Sequence, residues 1–465
     1  MPNSFAYLML LIWPVVMIIL FRKLRVERAL IWSLLGAYLF LPPAPAGFDF
    51  PLLPPFTKDS IPNLLAFGIC LTLFGWKELK FPKSKVSRIL IALFVLGPVI
   101  TVFNNGEPIN FTNAENLPGL RLSDAIALSI NQLSYLFSFL LAQRFMGTPE
   151  AHRDLLVALF IAGLAYSIPM LIEVRLSPQL NLWFYGYYQH SFGQSIRFGG
   201  YRPVVFMNHG LWVAFFSMTA VAATIALWRV ELDQKRRALY LFLAGYLGVV
   251  LVFCKSTGAL LFALFLAPLI MITNRWFQIN LSFVLVLLVL AYPVLKSVDL
   301  IPTDTMVAQA EKISHERAGS LQFRFDNEDI LFERANEKPL FGWGSWGRNQ
   351  IHDPNNGEML SVSDGRWIIV FGMFGWVGFI AEFGLLGLPL ILLWARKSEQ
   401  VNEYVSPFIG PLALILAINI VDLLLNATLT PITWIISGAL LGYTERTKKK
   451  VSKKKLETKR WRPIL

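Results

Sequence analysis

Asp364-Gly365-Arg366-Trp367-Ile368-Ile369-Val370-Phe371-Gly372-Met373-Phe374-Gly375-Trp376-Val377-Gly378 marks an abrupt change in the chain. Upstream lies 296–365, the one long polar stretch; downstream the sequence stays apolar to about residue 394. An apolar run of that length more than covers ~30 Å of hydrocarbon, so it reads as a membrane span that is tilted or broken at its glycines. Similar runs recur on both sides, near 4–21, 29–43, 61–76, 89–103, 124–143, 154–172, 203–228, 238–254, 257–273, 277–295, 407–425 and 431–443. The pair at 238–273 is split only by Lys255-Ser256-Thr257. With 55% hydrophobic and 15% charged residues among 465, the chain is too apolar for a soluble protein. The expected class is an all-α polytopic membrane protein with about 12–13 transmembrane helices and one large extracytoplasmic loop. The alternating strands of an outer-membrane barrel are absent.

The expected organisation has five parts. Residues 1–200 are N-terminal spans, 201–295 central spans, 296–365 the large loop, 366–443 C-terminal spans, and 444–465 a basic tail. Alternate connectors (22–28, 77–88, 144–153, 229–237, 274–276, 395–404 and the tail) carry 28 of the 42 Lys and Arg. By the positive-inside rule these connectors are cytoplasmic, the N-terminus and the large loop are outside, and the C-terminus is inside. The net charge of +12 is then a topology signal and gives no reason to expect nucleic acid. Cys70 and Cys254 both lie in apolar runs and suggest neither a disulfide nor a thiolate metal site. The proline-rich 42–56 cannot be a regular helix and reads as a hairpin at the interface.

Candidate chemistry gathers around the loop. Residues 326–337 read as a short amphipathic helix with Ile330, Leu331, Arg334 and Ala335 on one face, ended by Pro339. Trp343 and Trp346, set among Gly342, Gly344 and Gly347, are either faces for sugar rings or interfacial anchors. Asp364 is either a general base or a helix cap, and Arg366 stands beside it at the outer mouth of the span. Arg202, Lys255, Arg324 and Arg334 are cations on the outer side. They either grip phosphate oxygens or serve as snorkelling charges. Asn208 and His209 fall one to two turns inside the span after Arg202, where polar groups face the protein interior. Glu382 and Asp422 sit within spans and need partners. No phosphate loop, dinucleotide motif or zinc spacing is present, so no metal or cofactor is expected.

Four of these segments, in order, resemble the O-antigen ligase and polymerase superfamily of bacterial envelope glycosyltransferases. They are Arg202 with the following PVVFMNHG, then Lys255-Ser256-Thr257-Gly258. Lys338-Pro339-Leu340-Phe341-Gly342-Trp343-Gly344 follows, and last Asp364-Gly365 leading to Gly375-Trp376-Val377-Gly378. The likeness covers roughly 200–390. It implies metal-independent, inverting transfer or polymerisation of a glycan from an undecaprenyl-diphosphate carrier at the outer leaflet of the bacterial inner membrane. The acceptor would be a hydroxyl on a glycan, lipid or protein, in lipopolysaccharide, capsule or exopolysaccharide synthesis. By position, Arg202, Lys255 and Arg324 become the diphosphate clamp, and Asp364 stands where relatives carry His. A multi-span transporter or flippase of envelope glycolipids is the alternative.

Overall fold

The computed structural model describes residues 1–50, 53–312, 314–396 and 405–460. It is mainly helical, with almost no strand among the described residues. Eight helices are long and apolar enough to cross a membrane: α1 (Ser4–Lys23), α4 (Lys85–Phe103), α5 (Leu122–Phe145), α6 (Pro149–Leu176), α8 (Gly210–Val230), α9 (Gln234–Phe253), α11 (Arg275–Ser297) and α14 (Arg366–Ala395). Shorter apolar helices are α2 (Val26–Phe40), α3 (Ser60–Phe74), α10 (Thr257–Ile272) and α15 (Ile409–Leu425). The last helix, α16 (Pro431–Arg460), begins apolar and runs on into the basic tail, of which 461–465 lie outside the described residues. The chain is thus a multi-pass helical membrane protein, and its exposed apolar side chains, such as Leu11, Val15 and Ile18 of α1, face lipid.

Local chemistry sets the helix ends. Asn3, Thr148 and Asn274 accept the backbone N–H of Ala6, Ala151 and Phe277 at the starts of α1, α6 and α11, satisfying donors that a helix leaves orphaned. At the Lys255-Ser256-Thr257 break α9 stops at Phe253 and α10 starts at Thr257. Among the eight long apolar helices the most enclosed is α8, which packs on α6, α9 and α10. Its alanines let neighbours approach closely, Ala220 facing Gly163 of α6.

The large loop contains α12 (Thr303–Glu311) and α13 (His315–Asn336). The expected amphipathic helix is therefore part of a longer one. Its buried face is Phe325, Glu328, Leu331, Phe332 and Ala335, whereas Ile330 points out. The register is set by Glu328, which accepts from the indole of Trp367 (3.0 Å) and the hydroxyl of Tyr292 (2.9 Å) and pairs with Lys296. The 42–56 stretch does form a hairpin, with Phe48 and Phe56 exchanging backbone hydrogen bonds; residues 51 and 52 lie outside the described part.

The span at 366–394 is broken. Gly375 has φ 62° and ψ −159°, a conformation essentially confined to glycine. Arg366 and Glu382, sixteen positions apart, form a two-pronged ion pair at 2.7 Å on each prong. In a straight helix sixteen residues span roughly 24 Å, beyond the reach of two side chains, so α14 is a sharp V. The arm 376–395 is roughly 30 Å long and can cross a bilayer; the arm 366–374 is roughly 13 Å and cannot.

Residues 339–344 of the large loop close the V. The carbonyls of Pro339 and Leu340 accept the N–H of Trp376 (2.8 Å) and Val377 (3.2 Å). In return, the N–H of Trp343 and Gly344 reach the carbonyls of Gly372 and Met373, each at 2.9 Å. Four backbone groups freed by the break are thus paired, as hydrocarbon surroundings demand. A Cβ on Gly375 would overlap the backbone of Pro339 and Leu340, and one on Gly342 (φ 68°) would overlap that of Met373. The C-terminal end of α4 fixes the same segment: Thr101 and Asn105 donate to the carbonyls of Phe341 (2.6 Å) and Gly342 (2.9 Å).

Candidate functional site

The site is built on the segment that leads into α8. A short helix, α7 (Leu180–Tyr185), and a two-stranded hairpin, β1 (Ile196–Arg197) with β2 (Gly200–Tyr201), precede it. The hairpin turns through Phe198 (φ 48°) and Gly199 (φ 66°), both in the left-handed region that a type I′ turn requires. Arg202 follows, and its N–H donates to the carbonyl of Ser195 (2.8 Å).

Residues 203–209 are irregular, not helical, because their backbone donors are taken elsewhere. Glu173 of α6, fully buried, accepts the N–H of Val204 (2.8 Å) and Val205 (2.7 Å) on one oxygen and of Leu180 (2.9 Å) on the other. The Tyr166 hydroxyl takes the N–H of Phe206 (3.1 Å), and Lys58 donates to its carbonyl (2.8 Å). This corrects the expectation for Asn208 and His209. Neither lies on a helix; Asn208 is half-buried in the segment, and His209 is the residue that caps α8. His209 Nδ1 accepts the N–H of Leu211, and Nε2 faces Gln194 at 3.0 Å.

Arg202 is 5% exposed, its Nε has no hydrogen-bond partner, and among the described residues no carboxylate pairs with it. The side chain lies in space that a Cβ on Gly210 would fill. Burial pushes the guanidinium down to about 10, and the neighbouring Arg197 and Arg324 charges add to that. Burial, followed by Arg202, His190, Arg197 and Arg324, pushes His209 down to about 3. His209 is therefore neutral across the physiological range, close to the buried Arg202 charge. Such a site has a charge deficit that an anion would fill.

Arg324, on α13, is the second cation. Its Nε pairs with Asp364 at 3.3 Å, and its Nη1 donates to the carbonyl of Leu425 and to Asn426, each at 3.2 Å. The side chains of Arg324 and Asp364 are 26% and 37% exposed, so the pair is open to a reactant. Arg324, Glu328, Asp364, Gly365 and Leu424 line one small cleft between loop and spans. Asp364 is not the cap of α14; Gly365 occupies that position. The carboxylate Asp422 beneath is satisfied by Asn426 (2.8 Å) and by Thr428.

The remaining expected residues have other roles. The Lys255 ammonium donates to the carbonyls of Arg197 (2.8 Å) and Phe198 (3.5 Å), bracing the hairpin that carries Arg202. Arg366 is committed to Glu382. On Trp343 the guanidinium of Arg334 lies 3.4 Å and the ammonium of Lys338 4.4 Å from the ring centre, while the indole donates to the Arg334 carbonyl. Those cations occupy the ring that a sugar would need. Trp346 is 70% exposed, with its indole on Asp124 at 3.2 Å. Sequence reasoning missed Glu173 and Tyr166, which shape the Arg202 segment; a glutamate at the edge of an apolar run was their one signal. Among the described residues no three His, Cys, Asp or Glu side chains gather where they could hold a metal ion.

No family model matches this sequence, and no curated protein matches it either.

Proposed function

We propose that the chain is an envelope glycosyltransferase. It would transfer or polymerise a glycan from a polyprenyl-diphosphate-linked donor onto an acceptor hydroxyl at the outer face of the bacterial inner membrane, in O-antigen, capsule or exopolysaccharide synthesis. The observation that carries this reading is Arg202: a buried guanidinium with no counter-ion among the described residues, near Arg197, Arg324 and His209. A diphosphate supplies the missing negative charge, and a guanidinium fork matches its oxygens. The resemblance of four ordered segments to O-antigen ligases and polymerases supports the same substrate class.

In this mechanism the donor diphosphate sits on Arg202 and competes with Asp364 for Arg324. Asp364, released from its ion pair, takes the proton of the acceptor hydroxyl. The hydroxyl oxygen bonds to the anomeric carbon as the bond from that carbon to the diphosphate breaks. The polyprenyl diphosphate leaves with the electron pair, stabilised by the arginines. The direct test is purified protein in lipid vesicles with a radiolabelled polyprenyl-diphosphate glycan and an acceptor. Transfer that is lost in Arg202→Ala supports the proposal; transfer unchanged in both Arg202→Ala and Asp364→Asn removes it.

A second reading, a glycolipid transporter or flippase, draws on one observation. The V of α14 places irregular backbone and a buried Arg366–Glu382 pair among spans, as discontinuous helices do in transporters. Movement of a labelled glycolipid across sealed vesicles without covalent transfer would favour it. Reporter fusions at residues 320 and 460 test the expected sidedness of loop and tail.

A further inference from the structure

Helices α3 and α4 both pack on α5 and leave a groove between them. The cavity is about 370 Å³. Its walls are apolar: Phe67 and Phe137 stack at 4.0 Å, and Ile91, Val95, Leu133 and Leu136 complete the lining. Among the described residues its charged lining is Lys80 and Arg144, both at one end. Trp76, 70% exposed, and Phe81, 59% exposed, stand at the same end. Aromatic rings beside cations mark the headgroup level of a membrane.

Three observations identify the occupant. First, the groove runs along α5 from Arg144 to Leu133, roughly 16 Å at 1.5 Å per residue. That is about half of a ~30 Å hydrocarbon core, the depth of one leaflet. Second, the mouth is charged for an anion. The connector 77–88 holds Lys77, Lys80, Lys83, Lys85 and Arg88 against a single acid, Glu78. Glu78 is already taken by Arg144, and Glu445 beside them accepts from the backbone N–H of Lys83 and Ser84. Third, the groove opens at the far end of α5 from the large loop, which touches that helix at Asp124 through Trp346. A lipid whose diphosphate rests on Arg202 therefore belongs to the other leaflet.

We propose that this groove holds an acyl chain of an anionic phospholipid, with the headgroup phosphate on Lys80. The site is independent of the glycan-transfer reading. It is tested with the full-length protein in nanodiscs of phosphatidylcholine. Increasing fractions of phosphatidylglycerol or phosphatidylcholine, each dibrominated in the upper acyl chain, are then added. Subtracting the emission of Trp76→Phe from that of the wild type isolates the Trp76 signal. The expected result is Trp76 quenching at roughly five-fold lower phosphatidylglycerol than phosphatidylcholine, the ratio one ammonium supports at a membrane surface. Lys80→Gln, an exposed change, should erase that preference, and Ala92→Phe, which fills the groove, should weaken quenching by both lipids. Equal quenching by the two lipids overturns the proposal, as does a preference that survives Lys80→Gln. Absence of quenching by either would mean that a second copy of the chain covers the groove, and also overturns it.

Discussion

Arg202 and Arg366 are both arginines enclosed among apolar helices, and they are opposites. Arg366 faces Glu382 with two hydrogen bonds of 2.7 Å. Arg202 lies near other cations and pairs with no acid among the described residues. A buried pair of matched geometry is self-contained: it holds the fold and has nothing left to offer a ligand. A buried cation without a partner is a standing cost, retained where something else completes it. The contrast separates a charge paired within the fold from one proposed to bind a ligand, without reference to any relative. It also explains why two residues that look alike as sequence belong to different arguments.

The sharpest way to break the comparison is Arg366→Ala. It strands Glu382, and unfolding in detergent should show a loss of about 3–5 kcal/mol. Arg366→Met together with Glu382→Leu should recover most of that loss. Stability unchanged in the single variant would mean the pair is not structural. Arg202→Met should do the reverse. Thermal stability stays level or rises, while glycan transfer falls at least ~100-fold, or about 2.7 kcal/mol. There is a pH signature as well. The folded guanidinium titrates near 10, below its ordinary range. Arg202 therefore costs stability at all pH values below about 10, and the cost fades as pH rises above about 10 toward the ordinary guanidinium range. Unfolding curves of wild type and Arg202→Met should converge over that window.

A smaller effect comes from Gly375→Ala, which should lower stability by about 2 kcal/mol, since the conformation excludes a side chain. Melting temperature measures it, and an unaltered value would mean the V has another origin. Smallest is Asp364→Asn, expected to slow transfer about tenfold, or about 1.4 kcal/mol, with donor affinity equal or tighter because Arg324 loses its competitor. Weaker donor binding in that variant would count against the exchange at Arg324.

The spans, the short Lys255 turn and the hairpin at 42–56 were legible because hydropathy and proline act locally. The V in α14 was only half legible. Gly372, Gly375 and Gly378 look equivalent as sequence, and the choice among them is made by where 339–344 docks. Arg366 and Glu382 read as residues 24 Å apart until that break is known. Arg202 and Arg324 could be picked out by their place on the side expected to face outward, but the absence of an acid near Arg202 among the described residues is a fact of three dimensions. Glu173 escaped notice because its partners, Val204 and Val205, are 31 and 32 positions away. Trp343 shows the converse: its aromatic character was plain, but the cations covering it come from a neighbouring helix and turn.

The clasp between 339–344 and the two arms of α14 also dictates an order of assembly. The carbonyls of Gly372 and Met373 and the amides of Trp376 and Val377 at the break bond to residues 339–344. Thr101 and Asn105, which steady the clasp, were translated some 240 positions earlier. The short arm therefore cannot be buried in lipid as it emerges during synthesis; it must wait in a wet or protein-lined place until loop and α4 are both in position. Closing it is a late event in biogenesis. By the same logic, it is the seam at which the finished protein would begin to come apart.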